Sequence, residues 1–172
     1  MVSVCYHVAE ALPNQRLFGL HEGEWHKLDN IAAISCCNVL FIYLCNLSSP
    51  HVRYLWGLIQ LGIVVVLQTH SPWDLLFTLV PIFFHLLVFL VKYFFFEKYL
   101  YKSVRPTKWN VNNVKSSFFW LVPAIICFCK GLDDEHDYLR LWHGAWHAFL
   151  GISSYYQWGM IDTTGERKKE HF

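Results

Sequence analysis

Five apolar blocks, each about 16 to 23 residues long, limit this chain to very few folds. A helix needs ~20 predominantly apolar residues to cross the hydrocarbon core of a bilayer. The blocks run over about 29–48, 53–69, 74–96, 116–131 and 137–159. Hydrophobic residues make up 55% of the chain and charged residues only 16%, against about 25% charged in soluble domains. The expected fold is all-α: a polytopic transmembrane helical bundle of five full spans.

Residues 1–9 of MVSVCYHVAEA read as the final turns of one more apolar helix, with its earlier part absent. The expected fold is therefore five full spans plus the C-terminal end of an N-terminal helix. The opening residues lack the basic n-region, long apolar stretch and small-residue cleavage site of a signal peptide. Residues 10–28 read as a polar connection containing Pro13 and the cluster HEGEWHKLD. A single bundle domain over 1–160 and a polar tail over 161–172 complete the expected organisation.

Turn residues punctuate the blocks: LSSPH carries Pro50, THSPWD carries Pro72, and the longest connection, EKYLYKSVRPTKWNVNNVK, is polar and basic. Pro81 and Pro123 fall inside spans, where proline is tolerated if a neighbouring group re-satisfies the freed backbone carbonyl.

Counting five crossings sorts the charges. Arg53, Lys92, Lys98, Lys102, Arg105, Lys108, Lys115, Arg167, Lys168 and Lys169 share one side, ten of the fourteen basic residues. Arg16, Lys27, Lys130 and Arg140 lie on the other beside nine acidic residues. The positive-inside rule makes the first side, with the C-terminal tail, cytosolic and the second extracellular or lumenal. The housing membrane is the plasma membrane or an endomembrane.

A net charge of +1, with no dense basic patch on a binding motif, excludes a nucleic-acid partner. The six cysteines lie in or beside apolar runs without the paired spacing of a thiolate zinc site, and read as small buried side chains.

In YLRLWHGAWHAFLGISSYY, His143 and His147 are four residues apart. On a helix they share a face, with Cβ atoms about 6 Å apart. Such a pair serves either to bond carbonyls in helix packing or to ligate a metal. The expected topology brings it near the extracellular end of the last span, on the same side as Asp29 and His7. Three histidines around an open position form a catalytic zinc arrangement, in which the metal lowers the pKa of bound water to roughly 7 and supplies hydroxide. Asp29 would accept that water's proton or hold it in place. Ser3, one turn before His7, would donate to the substrate carbonyl or its oxyanion. The alternative for Ser3 is a bond to its own i−4 carbonyl.

The other histidines have blander readings. His85, alone in the middle of a span, reads as a helix-packing hydrogen bonder. His21 and His26 read as solvated loop residues, with a supporting role for His26 left open by its place three residues before Asp29. Trp142 and Trp146 read as packing or interfacial anchors.

Ser3-x-x-x-His7, Asp29 within WHKLDNIAA, and His143-x-x-x-His147 together resemble the signature of the CREST superfamily of seven-helix membrane hydrolases and receptors. The texts SVCYHVAEA and GEWHKLDNIAAI are most similar to its transmembrane protein eight and myomaker branch, plant members included. The resemblance implies zinc on His7, His143 and His147, an aspartate role for Asp29 at the zinc-bound water, and an assisting role for Ser3. Members include lipid amidases, a phospholipase acting on GPI-anchored lipid, and proteins of membrane fusion. The chain departs from the family pattern in lacking the first helix and most of the second. Its long His7 to Asp29 connection argues against a ceramide substrate.

The leading expectation is thus a zinc-dependent hydrolase acting on an ester or amide of a membrane lipid. A non-enzymatic receptor-like or fusion-related membrane protein, with a structural or vestigial metal site, is the alternative.

Overall fold

A computed structural model describes residues 2–100, 107–133, 136–137 and 141–162, with the side chains of 98–100 outside that description. The tail over 163–172, and with it Arg167, Lys168 and Lys169, lies outside the described residues, as do Lys102, Arg105, Asp134, Glu135 and Arg140. The chain forms two compact units, Met1–Val104 and Arg105–Phe172.

The first unit opens with helix α1 (Val2–Ala11), followed by a minimal hairpin of β1 (Arg16–Leu17) and β2 (Leu20–His21). Phe18 and Gly19 at its tip have φ of 50° and 83°. Positive φ at both central residues belongs to the hairpin turn whose twist matches the strands. The Trp25 indole N–H donates to the Leu17 carbonyl at 3.0 Å, tying the hairpin to α2 (Glu22–Leu44).

Helix α2 starts earlier than the apolar pattern implies. His21 caps it: its ring nitrogen accepts from the Gly23 N–H, while Glu24 accepts from the His21 N–H at 2.8 Å. This reciprocal box satisfies two of the donors that a helix start leaves open. Glu22 and Glu24 in the first turn also suit the positive end of the helix dipole. Much of the expected polar connection is therefore hairpin and helix.

Helix α3 (Pro50–His70) begins with Ser49 as its cap and Pro50 in its first turn, and α4 (Leu75–Val91) is capped by Asp74. A π-helical segment, Lys92–Leu100, continues α4, with Lys92 paired to Glu97.

Helix α2 buries Ile34, Leu40, Ile42 and Leu44, but burial in α3 is inverted relative to a soluble protein. The buried residues of α3 are Gln60, Val64 and Gln68, one stripe at four-residue spacing. Leu55, Leu58, Ile59, Val66, Phe83 and Phe84 are exposed. Among the described polar contacts, Asn38 donates to Gln60 at 3.0 Å, and Asn30 donates to Gln68 at 3.1 Å and to the Pro72 carbonyl at 2.7 Å. Lipid tails give helices no hydrophobic reason to associate, so amide bonds and close packing hold them.

Pro81 sits inside α4, where it cannot donate to the Phe77 carbonyl. The Gln68 side chain supplies that missing donor at 3.2 Å. His85, 5% exposed, donates from Nδ1 to the Pro81 carbonyl at 2.8 Å and accepts from the Trp56 indole at 3.2 Å. Its expected role as a packing residue matches these bonds.

The second unit pairs α5 (Val111–Gly131) with α6 (Leu141–Trp158). The buried face of α5 is Ser117, Ala124, Cys127 and Gly131, all small. Small side chains let two backbones approach, and polar atoms then bond across the gap. Ser153 donates to the Ser117 carbonyl at 3.0 Å and lies 3.2 Å from its hydroxyl, while Asn113 donates to the Gly159 carbonyl at 2.6 Å.

Four helical stretches are long and apolar enough to cross a membrane: Glu22–Leu44, Pro50–His70, Leu75–Glu97 and Val111–Gly131. The chain is a helical, multi-pass integral membrane protein. Helix α6 is not among the four. It carries His143, His147, Ser153, Ser154 and Gln157, so the residues that give the segment chemical interest also lower its apolarity.

Candidate metal centre

In the second unit, His143 and His147 occupy the first two turns of α6 on one face. Their Nε2 atoms lie 3.2 Å apart and their ring centroids 5.0 Å apart, with the planes inclined at 63°. Zinc takes imidazole nitrogens at about 2.0–2.1 Å in a tetrahedron, which requires N···N edges of roughly 3.3–3.4 Å. The observed separation fits one such edge with almost no movement. Without a metal, one Nε2–H would donate to the other ring across the same gap.

The surroundings hold this pair in place. The carboxylate of Asp137, 4% exposed, accepts from the Trp142 N–H at 2.8 Å and the His143 N–H at 3.0 Å. Two first-turn donors are thereby satisfied by an anion at the positive end of α6. Gly131 of α5 faces the His143 backbone so closely that a Cβ on it would sit 3.0 Å from the amide nitrogen and 3.1 Å from Cα. Trp146 lies edge-on to Phe128 at 5.1 Å and against His147 at 4.7 Å. The Lys130 ammonium rests 4.3 Å above the Trp142 ring. Trp142 and Trp146 therefore pack, as expected.

In the first unit, Ser3 and His7 are half-buried, one turn apart on α1. His7 Nδ1 lies 3.2 Å from a carboxylate oxygen of Glu10. The Tyr6 ring lies 4.7 Å from His7 and 5.1 Å from His26, and His26 stacks on Trp73 at 3.7 Å with planes 9° from parallel. Glu10, His7 and Asp29 all lie within electrostatic reach of His26. Asp29, half-buried, sits two turns into α2 rather than at its start.

The unit thus gathers His7, Glu10, His26 and Asp29. His26 is not the solvated loop residue that its sequence setting implies. It is half-buried, and its Nδ1 is buried with no hydrogen-bond partner among the described residues. His21 is the exposed cap of α2.

Glu10, Asp137, Gly131 and Trp73 were not legible as supports. Only Glu10, three residues after His7 and hence on the same helix face, left a signal in the spacing. The others act through chain reversals that a linear pattern does not show.

No curated protein and no solved structure matches the chain. The sequence profile of one family matches residues 1–148, from α1 through the paired histidines, and the chain belongs to that family, described as "Protein of unknown function (DUF3522)".

Proposed function

We propose that this protein is a membrane-embedded, zinc-dependent hydrolase of the CREST type, acting on an ester or amide of a membrane lipid. His7, His143 and His147 are the proposed ligands, Asp29 the proton acceptor and Ser3 the polarising donor. The observation that carries the reading is the 3.2 Å separation of the His143 and His147 Nε2 atoms, which suits two ligands of one tetrahedral ion. Ionisable side chains inside membrane helices are costly and tend to mark function.

Zinc bound there supplies a Lewis acid that brings the pKa of water to about 7 and so makes a nucleophile available at neutral pH. The chain's own residues do the remainder. Asp29 takes the proton of the attacking water and passes it to the leaving alcohol or amine. The Ser3 hydroxyl donates to the carbonyl oxygen as negative charge builds on it. In the proposed topology the site lies toward the extracellular or lumenal side and the C-terminus in the cytosol.

Metal content of the purified full chain tests the first step: one zinc per chain is expected, lost in His143→Ala and His147→Ala. Substoichiometric zinc in the native protein would overturn the reading. A lipidomic comparison of cells carrying the native protein or His147→Ala tests the second, with one lipid class expected to accumulate in the variant. Stoichiometric zinc with unchanged lipids would instead support a non-enzymatic metal site.

A further inference from the structure

We infer that Glu10 is a positioning residue for the metal, fixing which nitrogen of His7 faces it; this rests on the zinc reading above. Glu10 follows His7 by three residues on α1, so the two side chains emerge from one face. The His7 ring nitrogen nearest the carboxylate is Nδ1, at 3.2 Å. A carboxylate is acceptor-only, so the proton of neutral imidazole settles on Nδ1 and the lone pair on Nε2. His143 and His147 face each other through the same atom, Nε2. A hydrogen bond chosen by local helix geometry therefore leaves Nε2 as the nitrogen that His7 offers to a metal.

The arrangement has a direct effect at the site. It orients the ring without using conformational freedom at the moment of binding. Outer carboxylates of this kind typically change metal affinity by ~10–100-fold. An amide in place of the Glu10 carboxylate would still accept from Nδ1–H and keep the tautomer, whereas a methyl group would do neither.

Zinc titration of the full chain in detergent against a chelator of known affinity tests this, with Co2+ absorption as a second reading of the ligand set. Glu10→Ala should weaken zinc binding ~10–100-fold and lower the intensity of the Co2+ bands. Glu10→Gln should recover most of both, and the thermal melting of the metal-free variants should match the native protein. Equal affinity and spectra in Glu10→Ala and the native chain would overturn the inference while leaving the metal site standing. Failure of the native chain to bind zinc would instead remove the reading beneath it. Should Glu10→Ala not fold, Glu10→Gln and Glu10→Asp still decide: a longer reach lost in Asp but kept in Gln is expected, and the reverse order would refute the role.

Discussion

Asp137 shows how one carboxylate can matter more for its position than for its charge. It is almost fully buried and accepts from two backbone N–H groups at the start of α6, one belonging to His143 itself. Asp137→Ala would leave both donors open at the positive end of the helix. The expected loss is about 1–2 kcal/mol, with Asp137→Asn costing less because an amide oxygen still accepts. Thermal unfolding in detergent measures it, and equal melting of both variants and the native chain would remove the cap from the account. At this scale the sequence was half legible. The histidine pair shows in its spacing, because i and i+4 fix a shared helix face. Asp137 reads only as one member of an acidic run, since the run does not reveal which side chain turns back onto the helix. His26 was misplaced for a related reason: α2 begins at a histidine cap, and histidine is not among the residues that usually announce a helix start.

Between elements, two contacts carry separable predictions. Gly131 has backbone atoms of His143 where its Cβ would go, and backbone cannot swing aside as a long side chain can. Gly131→Ala must push α5 and α6 apart next to the paired histidines. A cost of about 1–3 kcal/mol is expected from such overpacking, together with weaker zinc binding in the same titration. Unchanged affinity would show that the pair does not depend on the spacing of the helices. In the first unit, Gln68 replaces the donor that Pro81 lacks. Gln68→Leu should cost about 1–3 kcal/mol by stranding the Phe77 carbonyl, and less in a Pro81→Ala background, where a backbone N–H returns. A double-mutant cycle of unfolding free energies reads that difference, and strict additivity would deny the link. The spans themselves were legible because membrane helices are long and apolar. Their inner faces were not, since an amide such as Gln68 looks the same in sequence whether it bonds a neighbour or ends a span.

Across the whole chain, the open quantity is whether α6 crosses the membrane. That helix is not among the four helical stretches of the described residues that are long and apolar enough to cross. Pairing supplies what apolarity does not: Ser153 and the Gly159 carbonyl bond to α5, and Gln157 donates to Ser153 at 3.1 Å. Bonds between membrane helices are worth about 0.6 kcal/mol each on average, so their direct contribution is small. Their larger effect is to shield polar atoms from lipid, where each unsatisfied group costs several kcal/mol. We therefore expect α5 and α6 to insert as a hairpin. An N-glycosylation acceptor placed near Leu132–Asp133 should be modified and one fused after Phe172 should not, with the turn at Ser71–Asp74 modified as a positive control. This is the outcome that the ten-to-four sorting of basic residues requires. If α6 stays on one side, the two test positions will agree. The paired histidines would then lie in a helix outside the bilayer, and a lipid headgroup rather than a buried ester or amide would be the group they could reach.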